Sequence, residues 1–94
     1  MDILYERLKE AGADERIART ASEIGTILKN SSEGRILLDI ISDLEFKNAE
    51  VFKKAGKYAQ LFVLDTIKLL EISGFVEMHT SGRYKLTDKG KANY

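Results

Sequence analysis

The sequence predicts a mostly α-helical chain closed by one small antiparallel β-hairpin. Three observations carry that expectation. Apolar residues recur at helical spacing along most of the chain before Gly74. Polar clusters and glycines divide that stretch into segments of helix length. After Gly74 the period shortens to the alternation of a half-buried strand.

The elements follow in order. Asp2 can cap a short helix ending near Gly12, with Ile3, Leu4 and Leu8 on one face. Asp14 is an N-cap for a second helix, on which Ile17, Ala21, Ile24 and Leu28 form an apolar stripe. Gly25 interrupts it at a cost of about 1 kcal/mol relative to Ala. Asn30-Ser31-Ser32 ends this helix. The stripe suits packing within the domain or, alternatively, a dimerisation helix, although so short a stripe makes a marginal coiled coil. A third helix starts at Ser32, with Arg35 to Leu44 as its body. Its broad apolar face of Ile36, Leu37, Ile40, Ile41 and Leu44 predicts burial on most sides. A break at Glu45-Phe46-Lys47 leads to Asn48, the N-cap of a short helix Ala49 to Ala55 with Val51 and Phe52 inward. Gly56 would end that helix in a left-handed conformation. A long helix then runs from about Tyr58 to Ser73 and stops at Gly74.

Phe75 to His79 is rich in strand formers, Thr80-Ser81-Gly82 is turn chemistry, and Arg83-Tyr84-Lys85-Leu86 alternates. Thr87 can cap a last helical turn. The plan is therefore helix, short helix, long helix and hairpin, preceded by extra helices over residues 1–32.

Composition narrows the function classes. Ninety-four residues with 44% hydrophobic content suit one small domain. No apolar run is long enough to span a bilayer, and the acidic N-terminal stretch is unlike a signal peptide, so a cytoplasmic location is expected. There is no cysteine and one histidine, His79, which speaks against disulfides, zinc and nucleophilic catalysis. No cofactor is expected, and no GxxxxGK loop occurs. Asp39 and Asp43 stand four apart on one helix face and read as a solvated face rather than a catalytic pair. Net charge is zero, but residues 1–45 carry six basic and ten acidic side chains, and residues 46–94 carry nine and five. An acidic front and a basic back fit a second half that meets a polyanion.

Two stretches carry a resemblance. Leu69-Leu70-Glu71-Ile72-Ser73-Gly74-Phe75-Val76 resembles the end of the recognition helix and first wing strand of winged-helix regulators. Gly82-Arg83-Tyr84-Lys85-Leu86-Thr87-Asp88-Lys89-Gly90 resembles their second wing strand and its Leu-Thr-x-x-Gly end. Ala49 to Gly56 is similar to the first helix of the helix-turn-helix. The likeness covers about residues 33–92 and is nearest the small bacterial and archaeal regulators of the multiple-antibiotic-resistance and archaeal winged-helix type. It implies a winged helix-turn-helix domain over residues 33–94, with residues 1–32 as a helical extension and candidate dimerisation element. It also implies a DNA-binding transcriptional regulator, a homodimer on double-stranded DNA, with the long helix in the major groove and the wing on the backbone. Carried onto this chain, the phosphate candidates are Lys53, Lys54, Lys57, Arg83, Lys85, Lys89 and Lys91.

The same alignment puts Leu61, Phe62, Leu64 and Asp65 where such regulators usually carry base-reading polar residues, with Val63, Ile67 and Leu70 at core positions. Leucine and phenylalanine cannot hydrogen-bond base edges, though they can touch a thymine methyl. Three arrangements resolve this. The helix can turn Tyr58, Gln60, Asp65 and Lys68 outward, the N-terminal helices can cover the apolar face, or that face can bind protein. The last gives the alternative function, a winged-helix assembly module without nucleic acid. His79 reads as an exposed residue and Tyr84 as packing at the wing base.

Overall fold

The computed structural model describes residues 3–47 and 56–94. It is mostly helical, with one two-stranded antiparallel sheet. Among the described residues four helices come first: α1 (Ile3–Glu10), α2 (Glu15–Lys29), α3 (Leu37–Lys47) and α4 (Lys57–Ile72). Strands β1 (Val76–Met78) and β2 (Tyr84–Leu86) follow, then the short α5 (Asp88–Ala92). The proposed helix Ala49 to Ala55, its cap Asn48, and Asp2 lie outside the described residues.

Local chemistry sets most of the boundaries. Asp14 caps α2 by accepting from the Arg16 and Ile17 amides. Gly74, at φ +81°, ends α4 in a Schellman closure. Its amide donates to Glu71 and that of Phe75 donates to Leu70, at 3.0 and 2.9 Å. Thr87 caps α5 by accepting from the Gly90 amide at 3.0 Å. The hairpin pairs Val76 with Leu86, Glu77 with Lys85 and Met78 with Tyr84. Its tip closes through Gly82 N donating to the His79 carbonyl.

Three expectations need correction here. α3 begins at Leu37, not Ser32. Arg35 is instead extended and forms a β-bridge with Tyr84, exchanging backbone hydrogen bonds of 3.0 and 2.8 Å. The long-range pairing overrides the local helical pattern. No break falls at Glu45-Phe46-Lys47: α3 runs on to Lys47, since nothing in that tripeptide opposes a helix. Gly56 does have positive φ, but at ψ −133° it is not left-handed helical, and it stands as the N-cap of α4.

One apolar core joins all the major elements. Leu4 and Leu8 of α1 and Ala18, Ala21, Ile24, Ile27 and Leu28 of α2 pack with Ile40, Ile41 and Leu44 of α3. Val63, Ile67 and Leu70 of α4 and Val76, Tyr84 and Leu86 of the hairpin complete it. The α2 stripe is thus used inside the domain, except for half-buried Ile17. Ile3, expected beside Leu4, is exposed instead. α3 buries one side only, for Leu38 and Phe46 are 69% and 90% exposed.

Candidate nucleic-acid interface

α4 is the element on which any reading surface depends. Its spacing sends Ala59, Val63, Thr66, Ile67 and Leu70 inward. Thr66 is satisfied by donating to the Phe62 carbonyl at 2.8 Å, so the buried hydroxyl leaves no unmet bond. The opposite arc carries Lys57, Tyr58, Gln60, Leu61, Asp65 and Lys68, all exposed. Tyr58 is 68% exposed, and the Lys57 ammonium stands 5.8 Å from its ring centroid. No acidic residue occupies the first turn of α4, where the helix dipole is positive. Asp65 and Glu71 on the same exposed arc offset the charges of Lys57 and Lys68.

The apolar residues on α4 behave unequally. Leu61 is 57% exposed, while Phe62 and Leu64 are half-buried. The N-terminal helices therefore do not cover Leu61. Of the three arrangements, the outward turn of Tyr58, Gln60, Asp65 and Lys68 is present, and Leu61 stands among them. Ile72, in the stretch resembling the recognition-helix end, is 86% exposed.

The basic residues of the hairpin and C-terminal turn have different surroundings. Arg83 is half-buried, and its guanidinium donates to the Gly34 carbonyl at 3.1 Å. Lys89 lies over the Phe75 ring at 4.7 Å and donates to the Ser73 carbonyl at 2.9 Å, so it caps the C-terminal end of α4. Lys85 and Lys91 instead line one cleft together with Lys29. Lys53 and Lys54 lie outside the described residues. The structure thus divides the candidates into an α4 group of Lys57, Tyr58, Gln60 and Lys68, two residues tied to backbone carbonyls, and a pair at a separate cleft.

Lys29 is the residue that sequence reading missed. Its only signal was its position before Asn30-Ser31-Ser32, which reads as a helix terminator and nothing more.

The remaining ionisable groups are mostly structural. Asp43 accepts from Arg35 at 2.6 Å, and Asp39 stands 3.9 Å from the same guanidinium. The two carboxylates are therefore partners of Arg35 and not simply a solvated face. His79 lies 3.2 Å from Glu77 at the exposed end of the hairpin. Burial, with the Glu71 charge second, pushes the Tyr84 phenol upward, which fits its buried place at the start of β2. Glu15 accepts from Tyr5 and is paired with Lys9 and Arg19. The Tyr5 hydroxyl, then Lys9, hold its carboxyl down at about 2. Among the described residues no group of three or more His, Asp or Glu is placed to hold a metal ion. No described helix is long and apolar enough to cross a membrane.

Compared with known proteins, the chain matches no family model, no curated protein and no solved structure.

Proposed function

We propose that residues 33–94 form a winged helix-turn-helix and that the protein is a small cytoplasmic DNA-binding regulator, not an enzyme, acting as a homodimer. The observation that carries this reading is the outward arc of α4, where Lys57, Tyr58, Gln60 and Lys68 project while Val63, Ile67 and Leu70 anchor the other side. A helix held this way offers its polar face to a major groove, with the β1–β2 hairpin following as a wing. Lys57 and Lys68 supply phosphate contacts, Gln60 suits an adenine edge, and Leu61 suits a thymine methyl. Asp65 opposes phosphate, so affinity per copy is low and pairing two copies on adjacent half-sites raises it. The test is a band-shift titration of duplex DNA at low salt. Binding that weakens in Lys57→Gln and Lys68→Gln supports the reading, and absence of any duplex binding at low salt overturns it.

The exposed Leu61 also favours a second reading, a winged-helix assembly module that holds a protein instead of DNA. Leu61→Asp separates the two. In the assembly module it dissolves a complex seen by sedimentation, with the fold intact. In the DNA reading it leaves the oligomeric state unchanged and weakens duplex binding.

A further inference from the structure

Away from the α4 arc, the end of α2, the loop after it, β2 and α5 border an open cleft of about 590 Å³. That volume lies within the roughly 300–1,000 Å³ typical of small-molecule sites. Lys29, Lys85 and Lys91 come to its wall from three separate elements, and no carboxylate of the described residues lines it. None of the three is in an ion pair among the described residues, whereas Lys9, Arg19 and Arg35 each are. Glu77, opposite Lys85 across the hairpin, is within reach of His79 instead.

The C-terminal end of α2 faces this region, and its dipole accounts for part of the attraction felt by the lysines. A helix end carries only about half a unit of negative charge, so three ammonium groups leave a clear positive excess. Lys85 is also positioned and not free to wander. A Cβ added at Gly34 would lie 2.8 Å from its Cγ, so the aliphatic stem rests against that glycine. Ser31 is held by donating to the Gly34 carbonyl at 3.0 Å, which fixes the loop that brings Asn30 and Ser32 to the wall. Leu28 and Leu86 add an apolar portion to the wall.

We propose that this cleft binds a small organic phosphate of about nucleotide size, with its phosphates on Lys29, Lys85 and Lys91 and its apolar or planar part against Leu28 and Leu86. A lone inorganic phosphate would fill a small part of the volume. A ligand that adds an organic body uses both kinds of wall. The site is separate from the α4 arc, so it does not depend on the DNA reading.

The experiment is a magnetic-resonance titration of the full chain with ATP lacking a divalent cation, with pyrophosphate, with adenosine, and with a short duplex. ATP is expected to shift the amides of residues 29–32, 85, 86 and 91, pyrophosphate to do so more weakly, and adenosine not at all. Lys29 and Lys91 are exposed, so the double variant Lys29→Gln/Lys91→Gln keeps the fold and should weaken ATP binding by about tenfold or more. Ser32→Asp, also at an exposed position, places a negative charge in the cleft and should weaken it similarly. Shifts scattered over other lysines, no shift with ATP, or unchanged affinity in both variants overturns the proposal. So does a duplex that moves the cleft amides when ATP does not, because the lysines would then serve a nucleic-acid backbone. Failure of the duplex to bind anywhere overturns the DNA reading and leaves this one standing.

Discussion

Gly90 and Gly25 owe their identity to different neighbours, and the difference sets what each tolerates. A Cβ at Gly90 would lie 2.1 Å from the Phe75 carbonyl oxygen, a backbone atom fixed by the Thr87 amide bond to the same carbonyl. Overpacking of that kind costs about 1–3 kcal/mol. Gly90→Ala is expected to lower stability by that much in denaturant titrations. At Gly25 the clash is with the Tyr94 ring, at 1.5 Å, and that side chain can swing away. Its hydroxyl donates to the Ala21 carbonyl at 2.7 Å and would be lost, while the helix gains about 1 kcal/mol from alanine. Gly25→Ala should therefore cost less than Gly90→Ala. Once it is present, Tyr94→Ala should cost little more, which a double-mutant cycle reads directly. The interruption of the α2 stripe by Gly25 was plain in the sequence, but the ring it accommodates was not, because Tyr94 is remote along the chain.

Glu15 gives a pH dependence at the same scale. Its folded pKa, about 2, lies below the ordinary 4.5, so its contribution is complete above about 4.5. It is lost as pH falls from there toward 2. Stability measured across that window should decline in the parent protein, and the decline should be shallower in Glu15→Gln. Tyr5 shows the matching effect at the alkaline end. Its hydroxyl donates to Glu15, which raises its pKa, so this contact persists below about 10 and is lost as the phenol ionises.

At the scale of elements, the signatures most legible in sequence are those whose partners are near. Thr87 and Gly90 dock on Gly74 and Phe75, since the Thr87 hydroxyl donates to the Gly74 carbonyl while its amide bonds Phe75. The end of α4 and the start of α5 are thus halves of one clamp across the base of the hairpin. Helix caps at Asp14 and Thr87 were legible for the same reason. The start of α3 was not, because the extended conformation of Arg35 depends on Tyr84, whose strand comes much later. Nor was the exposure of Leu38 and Phe46, since the apolar period of α3 does not say how much of it neighbours will cover. The hairpin makes a further prediction. Arg83→Ala removes the bond to the Gly34 carbonyl and should cost about 0.5–1.5 kcal/mol of stability apart from any change in DNA affinity. Lys57→Gln and Lys68→Gln, at exposed positions without such ties, should leave the melting temperature unchanged.

Across the whole molecule, the core is shared by all the major elements while the charge is divided among them. Residues from α1 and α2 fill the same core as α4 and the hairpin, so the N-terminal helices brace the element that carries the outward arc. The basic excess of the second half, legible in the sequence, does not form one patch among the described residues. Lys57 and Lys68 lie on α4, Arg83 and Lys89 are bound to carbonyls, and Lys85 and Lys91 join Lys29 at the cleft. A linear charge count cannot separate these groups because it lacks their directions. The α4 lysines are the ones a duplex would need. The most direct measurement is the salt dependence of duplex affinity for the parent protein and for Lys57→Gln/Lys68→Gln. Each phosphate contact contributes a slope of about −0.9 in log affinity against log salt. DNA binding through α4 predicts a negative slope that flattens by about two per bound copy in the double variant, and so by nearly four for a homodimer on two half-sites. A duplex affinity that is absent near 50 mM salt, or whose slope is the same in both proteins, contradicts it.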